Sequence, residues 1–171
     1  NGKVDVKGHT GKKSHTPPFI KALFYELLDI LSEVKTIEQF DRAKNKITDK
    51  ISNCVRKVQA KEIPLSDLAF NVMLSKAPND YVKTIPQHIR AAKQLESIRE
   101  IKKGETISYV KILNKPGVKP VELARQSEID SSKYMEFMES TLNQITSSMN
   151  LDFDTILGKP KQTGLDQFFW N

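Results

Sequence analysis

The chain has little or none of three features that would narrow its class directly: cysteine, long apolar runs and glycine-rich phosphate loops. Cys54 is the only cysteine, which excludes a disulfide within the chain. No apolar run approaches the roughly 18 residues of a membrane-spanning helix, and no basic-then-apolar leader marks secretion. The first residue is Asn1 rather than Met, which predicts that the chain is a piece of a longer protein.

The residue types that enzymes use in reaction centres are present, but they do not form a recognisable site. His9, His15 and His88 lack the spacing of metal ligands. Ser14 and His15 are neighbours without a third residue to orient them as nucleophile and base. No aspartate pair lies in a strand-rich setting that could hold two Mg²⁺ ions. We therefore predict no catalytic residue and no metal site here; any reacting groups lie elsewhere.

Charge is unevenly distributed along the chain, whose net charge is +6. Residues 1–24 carry five lysines against one acid, and residues 76–103 carry seven lysines and arginines against three acids, whereas residues 128–157 carry six acids against one lysine. Two basic segments and one acidic segment predict a face that meets a polyanion. The alternative interpretation is that these are ordinary solvated surface lysines.

The apolar spacing predicts an α+β fold that is mainly helical, with a few short strands. Helices are expected from Thr16 to about Glu33, from Thr36 through Val58, from Thr84 to about Arg99 and after Asp130, with a helical turn up to Leu157. Thr16, Thr36, Thr84 and Asp130 are the expected N-caps, and Asn150 the left-handed residue that ends the last long helix. Strands are expected at 3–7, 70–74, 106–112 and 118–124, with Cys54 in the core.

The C-terminal residues form a motif that the fold prediction does not use. Gln162, Leu165, Phe168 and Phe169 follow the spacing Gln, two residues, aliphatic, two residues, two aromatics. This resembles the motif by which replication proteins dock on ring-shaped sliding clamps, where one helical turn presents an apolar plug. The alternative is a terminus that folds back on its own domain. The preceding Gly-Lys-Pro-Lys segment predicts an extended linker, so the tail should be flexible.

A longer resemblance covers almost the whole chain. Four segments resemble the C-terminal part of archaeal family-B replicative DNA polymerases: NGKVDVKGHTGKKSHTPPFIKALF (1–24), LAFNVMLSKAPNDYVKTIPQHIRAAKQ (68–94), 104–124 and the last long helix. The resemblance implies a strand leaving the palm at 1–8, a thumb region at 9–157, and a linker with a clamp-binding tail at 158–171. It also implies that the Mg²⁺-binding aspartates belong to the palm of the parent enzyme, outside this chain.

The resemblance implies a role for the basic segments: gripping primer–template DNA through its sugar–phosphate backbone, without reading sequence. The DNA-binding residues expected on this basis are Lys12, Lys13, His15, Lys76, Tyr81, Lys83, His88, Arg90 and Lys93. The start of the first helix, just after Lys12 and Lys13, is expected to add free N–H groups for phosphate. A position in the core explains Tyr81 nearly as well as a contact to the DNA backbone does.

The expected partners are primer–template DNA, the rest of the polymerase and a sliding clamp, and the expected location is cytoplasmic and DNA-associated. Three rival interpretations remain open. The chain is the small subunit of a split polymerase, a stand-alone non-enzymatic subunit that binds DNA and a clamp, or a protein–protein adaptor without DNA affinity.

Overall fold

The computed structural model describes residues 15–158. Within that range the chain forms α1 (Pro18–Ser32), α2 (Ile37–Gln59), α3 (Leu65–Leu68), β1 (Phe70–Met73), α4 (Gln87–Leu95), β2 (Thr106–Lys111), β3 (Val118–Pro120), α5 (Ser131–Ser148) and α6 (Phe153–Ile156). Short 3₁₀ turns lie at Pro78–Asp80 and Gln126–Glu128. The predicted α+β, mainly helical class is confirmed. The strand predicted at 3–7 and the tail lie outside the described residues.

Two of the predicted helix starts are confirmed at the level of individual hydrogen bonds. The Thr36 hydroxyl accepts a bond from the Gln39 N–H at 3.1 Å, and the Gln39 side chain accepts one from the Thr36 N–H at 3.1 Å. This reciprocal pair is the capping box that its sequence predicts. At the start of α5, the Asp130 carboxylate accepts a bond from the Lys133 N–H at 3.3 Å. Asn150, just after α5, has the predicted left-handed backbone with φ of 53°.

The two other predicted N-caps are wrong, for one shared reason. The N-cap of α1 is Pro17 rather than Thr16, and the N-cap of α4 is Pro86 rather than Thr84. A residue that precedes proline is disfavoured in the helical region. Pro17 precedes Pro18 and is extended, with ψ of 140°. Ile85 precedes Pro86 in the same way. Helix α1 therefore begins at the second proline of its pair, and α4 begins just after its Ile-Pro step.

The predicted end of α4 at about Arg99 is also wrong, because the helix ends at Leu95. The Ser97 hydroxyl donates to the carbonyl of Gln94 at 2.8 Å. A serine side chain that bonds a nearby carbonyl offers the backbone an alternative to the next helical turn. The chain therefore leaves the helix through a turn before it reaches β2.

The three strands form one antiparallel sheet in the order β1-β2-β3. Phe70 pairs with Tyr109 in the first ladder, and Tyr109 pairs with Pro120 in the second. The third strand ends at Pro120, earlier than the predicted 118–124. The N–H of Val121 donates once more to the carbonyl of Ser108, at 2.9 Å, and the N–H of Leu123 then bonds to the carbonyl of Pro120, at 3.0 Å. The N–H of Ala124 already bonds back to the carbonyl of Pro120, at 3.1 Å, in a turn.

The sheet and the helices share one hydrophobic core. Helices α1, α2 and α5 pack against each other, and α4 packs on β2 and β3. Phe70 joins the two parts: its ring centroid lies 5.4 Å from that of Tyr109, 5.9 Å from Tyr134 and 5.3 Å from Phe137. Phe19 of α1 reaches the same Tyr134 ring at 6.1 Å. The predicted apolar faces of α1, α2 and α5 are the ones that face this core.

Candidate nucleic-acid interface

The segment between β1 and α4 is held in place by contacts around Tyr81. The Ser75 hydroxyl and the Tyr81 hydroxyl lie 3.0 Å apart and share a hydrogen bond. The Lys76 ammonium lies 5.0 Å from the centroid of the Tyr81 ring, within the range of a cation–π contact. Tyr81 is half-buried and packs against the edge of the core. The tyrosine therefore packs on the core and also holds the Lys76 ammonium next to its ring.

The first turn of α4 brings His88 to the same place. Its ring lies edge-on to Tyr81, with the centroids 6.3 Å apart. Burial lowers the pKa of His88 below its ordinary value of 6.5. The imidazole is therefore neutral at pH 7, so it can offer a hydrogen bond but no full charge. Lys76, Tyr81 and His88 form one contiguous group, which we call the Tyr81 cluster.

The remaining cations of this segment lie close to the Tyr81 cluster in the sequence. Lys83 and Arg90 are exposed, and Lys93 is half-buried on α4 three residues after Arg90. Residues three apart on a helix lie on the same side. Within residues 15–158, none of Lys76, Lys83, Arg90 and Lys93 takes part in an ion pair. Their charges are thus uncompensated by close carboxylates in the described part, as a polyanion-binding surface requires.

Comparison with known proteins agrees with this arrangement of elements. Residues 1–156 match the family described as DNA polymerase family B. The chain belongs to DNA polymerase family B. It is 37% identical over 170 residues to "DNA polymerase 1" of Sulfolobus acidocaldarius, covering 99% of this chain and 19% of that protein. It is 38% identical to "DNA polymerase 1" of Saccharolobus solfataricus, with the same coverage. The chain thus spans about a fifth of these relatives.

The fold has a counterpart among solved structures. The structure of the family B DNA polymerase from the hyperthermophilic archaeon Pyrobaculum calidifontis matches with a TM-score of 0.63. The match covers 77% of this chain and 17% of that chain, at 19% sequence identity. This likeness concerns the fold alone. The family match and these two relatives confirm the resemblance to archaeal family-B polymerases.

Some of the site residues expected near the two ends of the chain lie outside the residues that the structure describes. Lys12 and Lys13 lie outside the described residues, as do Gln162, Leu165, Phe168 and Phe169. His15 is exposed, just before α1. The start of α1 offers fewer phosphate donors than expected. Pro18 has no N–H, and the N–H groups of Ile20 and Lys21 both bond to the carbonyl of Pro17, at 3.1 Å each.

The potential metal ligands of the described part of the chain do not cluster. Residues 15–158 contain no group of three or more His, Cys, Asp or Glu side chains that could hold a metal ion. Over the same residues, no helix is long and apolar enough to cross a membrane. Cys54 lines an open cleft of about 540 Å³ between α1 and α2. Burial raises the pKa of its thiol to about 11, so the thiol stays protonated and unreactive at neutral pH.

One pair of basic residues, Lys102 and Lys103, is not among the DNA-binding residues expected from the sequence. Lys102 and Lys103 lie immediately before Gly104, which has φ of +91°. The sequence signal was available, since two lysines before a glycine suggest an exposed, charged turn. These lysines were counted in the charge of segment 76–103, but nothing in the linear sequence places them beside Lys76.

Proposed function

We propose that this chain is the DNA-gripping thumb of a DNA-directed DNA polymerase, and that it holds the primer–template duplex behind the reaction centre. The observation that carries the proposal is the Tyr81 cluster, with Lys83, Arg90 and Lys93 nearby in the sequence and outside the ion pairs of the described residues, in a chain of DNA polymerase family B. Backbone contacts suit a copying enzyme because phosphates are the same in every sequence. The location we propose is accordingly DNA-associated and cytoplasmic.

The mode of binding follows from the character of the side chains. Lysine and arginine neutralise phosphates and release counterions, which makes binding salt-dependent. Neutral His88 and the Tyr81 hydroxyl can donate hydrogen bonds to phosphate or sugar oxygens without adding charge. Nucleotidyl transfer itself is assigned to Mg²⁺-binding carboxylates in the palm of the parent enzyme. This chain contributes grip and position.

The proposal includes a tether. The spacing of Gln162, Leu165, Phe168 and Phe169 supports a terminal plug for a sliding clamp. A bound tail raises the effective concentration of the polymerase at the primer end after each release. The support for this part is the sequence motif alone.

The test of the grip is the salt dependence of duplex binding by the whole polymerase. Replacing Lys83, Arg90 and Lys93 by Ala should lower the slope of log K against log salt by about 3, one for each lost phosphate contact. The loss should be the same for unrelated duplex sequences. The matched control replaces Lys35, Lys44 and Lys46, at and just before α2, with Ala, which removes equal charge from a helix that packs against α1, α5 and α6.

Three outcomes would contradict the grip. An unchanged slope in the triple variant would show that these cations only solvate the surface, as in a protein–protein adaptor. An equal loss in the control would show that net charge matters and location does not. A loss confined to some sequences would indicate base reading. The same assay on Lys12→Ala with Lys13→Ala tests the N-terminal pair.

The alternatives are the small subunit of a split polymerase and a stand-alone DNA- and clamp-binding subunit. The mass of the native polypeptide that contains this sequence separates the alternatives. A single polypeptide with palm and thumb supports the first proposal, and two associated chains support the split enzyme.

A further inference from the structure

The chain between α4 and β2 forms a built turn with two lysines at its tip. The N–H of Glu105 bonds to the carbonyl of Lys102 at 3.3 Å, which closes a four-residue turn from 102 to 105. Gly104 occupies the third position with φ of +91°, the backbone that a type II turn requires there. Lys102 and Lys103 therefore take the first two positions. We call residues 102–105 the lysine turn.

The lysine turn is tied to the end of β1 by two hydrogen bonds. The N–H of Gly104 donates to the carbonyl of Leu74 at 2.8 Å, and the N–H of Leu74 donates to the carbonyl of Glu105 at 2.8 Å. Two residues thus oppose one, with glycine in the left-handed region, which is the G1 type of β-bulge. Leu74 is buried, so this anchor belongs to the core of the fold.

One carboxylate organises the rest of this loop. The Glu105 side chain accepts a bond from the Arg99 guanidinium at 2.7 Å and another from the Lys102 N–H at 2.9 Å. These bonds lower the pKa of Glu105 below its ordinary value, and the bond from Arg99 has the largest effect. Ile101 is buried beneath the loop. Glu105 forms its ion pair with Arg99. In the described part of the chain, the ammonium groups of Lys102 and Lys103 form no ion pair.

The position of the turn limits the distance between its lysines and Lys76 of the Tyr81 cluster. Lys76 lies two residues after Leu74, and Lys103 precedes Gly104, which bonds to Leu74. From the reach of an extended chain and the spacing of paired strands, the Cα atoms of Lys76 and Lys103 are at most about 16 Å apart. One turn of duplex DNA spans about 34 Å. Both groups therefore fit within half a turn of a single duplex.

We propose that Lys102 and Lys103 form a second phosphate-binding patch, which holds the backbone of the same duplex that the Tyr81 cluster contacts. The inference rests on the proposed DNA grip and extends it. Two exposed cations on a fixed turn lose little backbone freedom when they bind, because the turn is already formed. Adjacent like charges also gain from a polyanion that neutralises both.

The experiment measures duplex binding by the whole polymerase at several salt concentrations. Lys102→Ala with Lys103→Ala should lower the salt slope by about 2, and weaken binding roughly 60-fold at 0.1 M salt if affinity at 1 M salt is unchanged. Lys102→Arg with Lys103→Arg should keep the slope, because the charges remain. The matched control is Lys35→Ala with Lys46→Ala, which should change the slope by less than about 0.5.

The outcomes separate this inference from the grip it rests on. If the Lys102 and Lys103 double variant binds like the wild type while the triple variant of Lys83, Arg90 and Lys93 loses slope, the second patch is wrong and the grip stands. If neither variant loses slope, both are wrong. If the arginine double variant lost as much salt slope as the alanine double variant, the patch would also be wrong. Such a result would show damage to the turn rather than lost charge.

Discussion

Replacing Tyr134 by Phe removes one oxygen atom from the interior, and the structure allows its cost to be worked out. Tyr134 is fully buried. Its hydroxyl donates to the carbonyl of Leu68 at 2.8 Å and accepts from the N–H of Lys111 at 3.0 Å. Leu68 precedes β1 and Lys111 ends β2, so the hydroxyl bridges the two strands just past their last direct pair. Burial raises the pKa of Tyr134 above its ordinary value, so the hydroxyl keeps its proton.

The expected cost of Tyr134→Phe is about 2–6 kcal/mol. A buried N–H or carbonyl left without its partner costs about 1–3 kcal/mol, and this change leaves one of each. The ring itself stays, so its contacts with Phe19 and Phe70 should persist. No cavity larger than the lost hydroxyl forms. The loss is therefore one of hydrogen bonding, with little change in packing.

Urea unfolding of the 171-residue chain measures this cost as a change in midpoint at constant slope. Tyr25→Phe is the matched control, because Tyr25 is 40% exposed and its change should stay within about 0.5 kcal/mol. Amide exchange at Lys111 should accelerate in the Tyr134 variant and stay unchanged in the control. A Tyr134 variant within about 0.5 kcal/mol of wild type would refute the bridge, as would an equal cost in the control.

Three further predictions follow from other elements. Leu23→Ala should destabilise the chain by about 2–5 kcal/mol in the same unfolding assay, because Leu23 is 6% exposed; a cost below about 0.5 kcal/mol would mean that the wrong face of α1 was assigned to the core. Phe168→Ala with Phe169→Ala should abolish clamp-stimulated synthesis of long products and spare short extension without the clamp; lost basal extension would place these rings in the core instead. The Lys119 ammonium, 2.8 Å from Glu128, lowers the pKa of that carboxyl below 4.5, so this pair stabilises the fold above about pH 4.5 and loses its effect as pH falls through the lowered pKa. Glu128→Gln should therefore flatten the acid limb of stability against pH; an acid limb identical to wild type would contradict this.

The helices could be predicted from the sequence because their signals are local. The Thr36 capping box and the Asp130 cap depend on residues three apart, and the structure has both. The failures are also local, but they involve two rules in conflict. Thr84 satisfies a capping pattern, and Pro86 then prevents Ile85 from being helical. The proline rule prevails because a steric clash costs more than a lost cap.

Only part of the candidate site could be predicted from the sequence. The cluster of basic residues at 76–93 could be read as charge, and the family resemblance gave it a role. That Lys76 lies over the ring of Tyr81 depends on how the chain folds between these two residues, which the order of residues alone does not reveal. That the lysine turn is tied to Leu74 depends on pairing between residues about 30 apart. Charge composition does not contain such pairings. The bridge made by the Tyr134 hydroxyl is hidden in the same way, since any large apolar residue fits the stripe on α5.

The small sheet has consequences for self-association, because a strand with an unpaired edge is a template for another chain. The outer edge of β3 is next to α4, where the Gln94 amide donates to the carbonyl of Val118 at 2.9 Å. On β1, alternate residues point their backbone groups away from β2, which leaves Asn71 and Met73 facing outward. Two residues are too few to nucleate a β-ribbon between molecules. Heating or concentrating this chain should therefore cause aggregation by loss of the helical core before any edge-to-edge pairing of native sheets.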